Sequence, residues 1–140
     1  MILVSAADDR LGTGFNRRRQ SRDAALRRAL ICEAAGAPVW MNAYSLRQFK
    51  EETVQADIRV SENFLFEAKD GEFCFAENIP VGAAESRAEK IILFRWNRTY
   101  PADIYFDIDL SKGWFLAESE DFAGKSHEKI TKEVYLREQE

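Results

Sequence analysis

Among its 140 residues the chain has one histidine, His127, and two cysteines, Cys32 and Cys74. That scarcity excludes several kinds of chemistry. Metal sites need clustered His, Cys and carboxylate ligands, and neither cysteine stands in a Cys-x-x-Cys pair or beside the histidine. The His-x-His-x-Asp-His pattern of a metal-dependent nuclease is also absent. Both cysteines lie in apolar runs and are expected to be reduced core residues of a cytoplasmic protein. No apolar run approaches the roughly 18 residues of a membrane-spanning helix. Met1–Ala7 carries no basic leader and runs straight into Asp8-Asp9, so no signal peptide is expected. Positive charge is in deficit: 20 basic against 24 acidic residues give a net charge of −4, which disfavours general binding to nucleic acid or an anionic membrane. Internal repeats, linkers and low-complexity tracts are missing as well.

What remains is an ordinary globular composition, 46% hydrophobic and 31% charged. A chain of this length is expected to form a single domain over residues 1–140 and to bury roughly two-thirds of its unfolded surface. Ile2-Leu3-Val4, Val39-Trp40-Met41 and Phe73-Cys74-Phe75-Ala76 are short continuous apolar runs, as strands buried on both faces require. Ile91-Ile92-Leu93-Phe94, within Lys90–Trp96, is the strongest of these and predicts a strand at or near the centre of the sheet. Between the strands, Ser21 is positioned to cap a helix from Arg22 to about Ala35, stopped by Gly36 and Pro38. Ser45 is positioned to cap a short helix from Leu46 to about Glu52. Asp57–Ser61 alternates as a strand, and Phe64–Ala68 is ambiguous. After Pro101 the pattern changes. Ile104, Phe106 and Ile108 alternate with polar residues, as do Ile130, Val134 and Leu136, and Trp114 begins a further strand. These are signs of antiparallel strands with one wet face.

The densest candidate for a site is Gly12–Asp23, which leaves the first strand and enters the first helix with two glycines, an asparagine, four arginines and a carboxylate. Six of the 20 basic residues fall between Arg17 and Arg28. Gly12-x-Gly14 lacks the third glycine of a dinucleotide fingerprint, since position 17 is arginine. Arg17, Arg18, Arg19 and Arg22 either hold an anion against the helix N-terminus or are solvated loop residues paired with Asp8, Asp9 or the acidic tail. Asp23 either favours the positive end of the helix dipole or is a buried acid for a ligand. Arg95 and Asn97 close the strongest strand, on the rim where open α/β sheets bind ligands. His127 could act as a general base, but no Ser or Cys nucleophile can be placed beside it from sequence, and it reads as a turn or strand-start residue. Phe64, Phe66, Phe73 and Phe75 alternate as core or as a partner-facing sheet; their acidic surroundings disfavour base stacking.

The order of elements, with several local motifs, resembles the dihydrofolate reductase family. The segment Ile2-Leu3-Val4-Ser5-Ala6 through Gly12 and Asn16 resembles its first strand and mobile loop. Asp23 stands where the family carries its substrate-binding carboxylate, and Pro38-Val39-Trp40-Met41 with Ser45 resembles its next strand and hydroxyl-capped helix. Asp103-Ile104-Tyr105-Phe106 matches a late D-x-x-F turn, and Trp114–Phe122 with Ser126–Arg137 matches the final hairpin. The resemblance implies a three-layer α/β fold with a mixed, mostly parallel sheet and an antiparallel C-terminal hairpin, in a short bacterial relative of that family. It implies that Asp23, as catalytic acid, and Asn16 orient a polar, pterin- or nucleotide-like heterocycle. Arg17, Arg18, Arg19 and Arg22, with Ser45, Arg95 and Asn97 around the cleft, would complete the ligand site.

Three departures bear on the family's NADPH cofactor. Its Gly-Gly pair is replaced here by Ala76-Glu77-Asn78, its Gly-Arg by Asn42-Ala43, and the chain is short between Lys50 and Glu72. Side chains obstruct the close approach of phosphates to backbone that a glycine pair allows, so the cofactor half of the cleft reads as reduced and the cofactor is left open. The expectation is a small-ligand binder or reductase relative; the alternative is a non-catalytic interaction module of inhibitor or immunity type, with a protein partner and a filled cleft. A nuclease ranks behind both.

Overall fold

In the computed structural model, which describes residues 1–139, the apolar runs become the strands of one twisted layer. They are β1 (Ile2–Ala7), β4 (Val39–Met41), β5 (Ile58–Val60), β6 (Phe73–Phe75), β7 (Lys90–Arg95), β9 (Trp114–Phe122) and β10 (Ile130–Arg137). Their order is β5-β4-β6-β1-β7-β10-β9. The first five run parallel; β10 is antiparallel to both β7 and β9. The three-layer mixed sheet with an antiparallel C-terminal hairpin is therefore present. β1 lies at its centre, registered Ile2↔Lys90 through Ala7↔Arg95 on β7.

Alternation along β1 divides the core. Ile2, Val4 and Ala6 face a cluster with Leu26, Leu30, Phe49, Phe75, Ile92 and Phe94; Leu3 and Ala7 face another with Phe64, Cys74, Ile91, Leu93 and Trp114. On the first side lies α1 (Ala24–Ala34), whose Leu26, Leu30 and Ala34 recur every four residues and are buried. Each such leucine contributes roughly 1.5–3 kcal/mol. Cys32 belongs to the opposite face of α1 and is exposed, against the expectation of a core thiol; Cys74 is buried. On the second side lie α3 (Phe64–Glu67) and a 3-10 segment, Gly82–Arg87.

Both helix starts differ from expectation for the same reason: a better acceptor sits nearby. Asp23, not Ser21, caps α1, accepting from the Ala25 N–H at 2.8 Å. Asn42, not Ser45, caps α2 (Ala43–Leu46), accepting from the Ser45 N–H at 3.0 Å. The chain then tightens into 3-10 turns at Arg47–Phe49 and Glu52–Val54 instead of continuing as one helix.

The opening loop is ordered as strand. β2 (Gly12–Phe15) pairs with β3 (Arg18–Arg19) and β8 (Ile104–Tyr105) in a second, three-stranded sheet. The link from β2 to β3 is a two-residue turn with Asn16 at φ 54° and Arg17 at φ 63°, the left-handed pair that tight hairpins use. Gly12 is needed for contact rather than motion: a Cβ there would lie 2.6 Å from the Ala102 Cβ. Beyond β8, Phe106 and Ile108 reach the core from irregular chain rather than from the longer strand their alternation suggests. Among the described residues no helix is long and apolar enough to cross a membrane.

Candidate functional site

The carboxyl ends of the parallel strands deliver three segments to one rim: the turn into α1 after β1, the α2 region after β4, and the loop joining β9 to β10. Where they meet, Asp23 is buried and its carboxylate accepts from five donors. These are the backbone N–H groups of Ala25 (2.8 Å), Lys125 (2.9 Å) and Ser126 (2.8 Å), the Ser126 hydroxyl (3.1 Å) and His127 Nδ1 (3.1 Å). Burial raises the Asp23 pKa, but the hydrogen bonds from Lys125, Ser126, His127 and Ala25 outweigh it and hold the group ionised well below the ordinary carboxylate range. Gly124 makes this docking possible, because a Cβ there would come within 2.7 Å of Asp23 Oδ2 and 2.5 Å of the His127 carbonyl oxygen.

His127, which the sequence placed merely at a turn, is 5% exposed and stacks on Trp96 with ring centroids 4.5 Å apart. Its Nε2 lies 3.1 Å from the Ser21 hydroxyl and 3.0 Å from the Tyr100 hydroxyl. No local pattern links these residues: His127 and Asp23 are 104 positions apart, and Ser21 and His127 are 106.

A second buried carboxylate fills the middle of the rim. Glu77, two residues beyond the end of β6, accepts from Arg19 Nε (2.9 Å) and Nη2 (3.2 Å), from the Ser45 hydroxyl (2.8 Å) and from Gln48 Nε2 (2.6 Å). The Arg19 guanidinium also lies 4.2 Å from the centre of the Tyr44 ring. Arg19 and Ser45 are thus brought together around a protein carboxylate. A third carboxylate, Asp8, braces the entry to β2: it accepts from the N–H groups of Tyr100, Gly12 and Arg10 and from Gln20. Burial raises its pKa, and those bonds more than compensate, leaving it lowered.

The remaining residues of interest divide among separate openings. Arg22 and Asp23 line a cleft of about 530 Å³ with Arg27, Arg47, Lys50, Glu51 and Lys125. Of the five cations there, Arg27 is paired with Glu52 at 2.8 Å; among the described residues Arg22, Arg47, Lys50 and Lys125 make no ion pair. Arg18, Arg19 and Ser21 line an adjoining pocket of about 520 Å³ with Tyr44. Asn16 borders a third pocket, which Asp23 does not line, and its backbone N–H donates to Asp103 at 3.1 Å. Arg17 is exposed on the hairpin tip and lends its carbonyl to Asn78. Arg95 and Asn97 serve the strand end: Arg95 donates to the Asp8 carbonyl (3.0 Å) and to Glu133 (3.3 Å), and Asn97 donates to Thr131 (3.0 Å) and the Lys129 carbonyl (3.2 Å).

Strand order, the Asp-capped first helix and the terminal hairpin can be set against solved structures. The chain superposes on dihydrofolate reductase from Enterococcus faecalis, solved in complex with NADP(H) and RAB-propyl, with a TM-score of 0.64. The match covers 99% of this chain and 96% of that one at 10% identity. The fold is dihydrofolate-reductase-like. No family model matches the sequence, and neither does any curated protein. Within this dihydrofolate-reductase-like scaffold the residues after β6 do not fit NADPH. Where the resemblance would place the glycine pair that admits a pyrophosphate, the buried Glu77 side chain is already bonded to Arg19, Ser45 and Gln48, and its bulk opposes the approach of phosphate to the backbone there.

Proposed function

We propose that this chain uses its dihydrofolate-reductase-like scaffold to bind a small polyanion, nucleotide-like in carrying a phosphate chain, in the cleft between the start of α1, the Arg47–Lys50 turn and Lys125. The observation that carries this reading is the charge of that cleft. Among the described residues Arg22, Arg47, Lys50 and Lys125 line it without ion-pair partners, Asp23 is held by five donors and Arg27 by Glu52, so four cations face one unpaired lining carboxylate, Glu51. Guanidinium groups bind phosphate by two-point hydrogen bonding, and the cleft sits at the strand ends where open α/β sheets take ligands. Asp23 acts in this reading as a positioning residue that locks the Lys125 turn against α1. Reduction with NADPH is not part of it, because the Glu77 side chain stands where the resemblance would place the glycine pair that admits the cofactor's pyrophosphate.

A thermal-shift series with inorganic pyrophosphate, a nucleoside triphosphate, NADPH and a folate, at low and high ionic strength, tests the proposal. A ligand at about 100 times its Kd stabilises by roughly 2.7 kcal/mol, which for a chain of this size is a rise of about 8 °C. The phosphate compounds should shift the transition at low salt and less at high salt, and Arg47→Glu should abolish the shift. Absence of any shift at millimolar ligand would reject the reading. The Glu77–Arg19 closure supports a second reading, the interaction module with a protein partner, under which none of these ligands would act.

A further inference from the structure

We propose that Ser21, His127 and Asp23 form a nucleophile–base–carboxylate triad competent for acyl transfer, a capacity that does not depend on the polyanion reading above. Ser21 Oγ stands 3.1 Å from His127 Nε2, and Asp23 Oδ2 stands 3.1 Å from Nδ1, on the opposite side of the ring. This is the connectivity that base-activated hydroxyls require, recognised by geometry rather than by sequence order. The supporting groups are in place. Asp23 is kept ionised by the N–H groups of Lys125 and Ser126, and Trp96 fixes the imidazole plane by stacking at an interplanar angle of 24°. The base is buried, while the nucleophile is half-buried and opens into the pocket of about 520 Å³ that it shares with Arg18, Arg19, Arg22 and Tyr44. A purely structural tie between α1 and the β9–β10 loop needs the Nδ1–Asp23 contact, but it does not need a hydroxyl on Nε2 facing a pocket.

The pocket's cations specify the substrate class as an ester bearing an anionic group, with Arg18 and Arg22 supplying positive charge for the developing oxyanion. With Nδ1–H donated to Asp23, the Nε2 lone pair takes the Ser21 proton as Oγ attacks the carbonyl carbon. Collapse of the tetrahedral adduct breaks the ester C–O bond, and the proton on Nε2 passes to the departing alcohol. Water then attacks the acyl-serine, giving its proton to Nε2, from which it returns to Oγ. The net reaction is ester plus water to acid plus alcohol. The Tyr100 hydroxyl, 3.0 Å from the same Nε2, competes with Ser21 for that lone pair in the resting protein.

The test is labelling of the full chain with a fluorophosphonate, in which the Ser21 Oγ–P bond forms, the P–F bond breaks and fluoride leaves. Ser126, which touches Nδ1 rather than Nε2, is the internal control. Base assistance contributes about 100-fold or more, so peptide mapping should find the adduct on Ser21 at least ~100-fold ahead of Ser126. Ser21→Ala should lose it with an unchanged melting temperature, and Tyr100→Phe should speed it. No adduct on Ser21, an even spread over the serines, or a Tyr100→Phe rate no faster than wild type would overturn the proposal.

Discussion

Replacing Asp23 by alanine tests the packing of the rim most severely. The substitution removes the N-cap of α1, worth about 1 kcal/mol. It strips the acceptor from the Lys125 and Ser126 N–H groups; both residues are exposed, so water can partly replace it and the loss is about 1 kcal/mol for the pair. It also leaves the buried His127 without its Nδ1 partner, a further loss of roughly 2 kcal/mol. The sum, about 4 kcal/mol, is a large share of the roughly 5–15 kcal/mol that holds a typical domain and corresponds to a fall in Tm of about 12 °C. Asp23→Asn, which keeps one carbonyl oxygen, should lose about half as much. Urea unfolding with linear extrapolation measures both. The sign with pH follows from the lowered pKa. The folded value lies below the ordinary 3.8, so the carboxylate's stabilisation is complete above that value and is lost as pH falls below it toward the folded pKa. The difference between wild type and Asp23→Ala should therefore be constant near neutrality and shrink in acid. A loss below about 1 kcal/mol at neutral pH would refute the assigned hydrogen bonding.

Other outcomes follow from neighbouring geometry. Gly124→Ala should cost about 1–3 kcal/mol in chemical denaturation, because its Cβ meets the His127 backbone and the Asp23 carboxylate, whereas Gly36→Ala, with open space around it and φ at 93°, should cost about 1 kcal/mol. Glu77→Ala should destabilise by about 3 kcal/mol through the unpaired Arg19, and proteolysis should then cut more readily in the 16–20 hairpin. Thiol titration of the native protein should find one fast thiol, Cys32, and one that reacts only after unfolding, since burial pushes the Cys74 thiol up to about 12; two fast thiols would contradict the packing behind β6.

The architecture was legible because buried parallel strands are written locally. Ile2-Leu3-Val4 and Ile91-Ile92-Leu93-Phe94 are apolar at every position because both faces are covered. The same kind of run misled at Cys32: Ala29-Leu30-Ile31-Cys32 is apolar throughout, but helical periodicity turns only the Leu26, Leu30 and Ala34 row inward. Glu77 was legible in the sequence as a side chain in place of the family's glycine pair. Its partner Arg19, 58 positions away, was not, since an ion pair across a fold leaves no spacing pattern. Serine is a favoured cap, but aspartate and asparagine are equally good acceptors, and Asp23 and Asn42 hold both cap positions. His127 was unreadable for the same long-range reason. Its environment is assembled from residues 21, 23, 96, 100 and 126; Ser21 and Asp23 stood out in the sequence for other roles, and no spacing ties either to His127.

Isothermal titration of the full chain with inorganic pyrophosphate at low ionic strength tests the central claim, a polyanion cleft on a dihydrofolate-reductase-like scaffold. Saturable binding that weakens with salt and disappears in Arg47→Glu is the expected result. Heat no greater than dilution, or binding unchanged in Arg47→Glu, would contradict it.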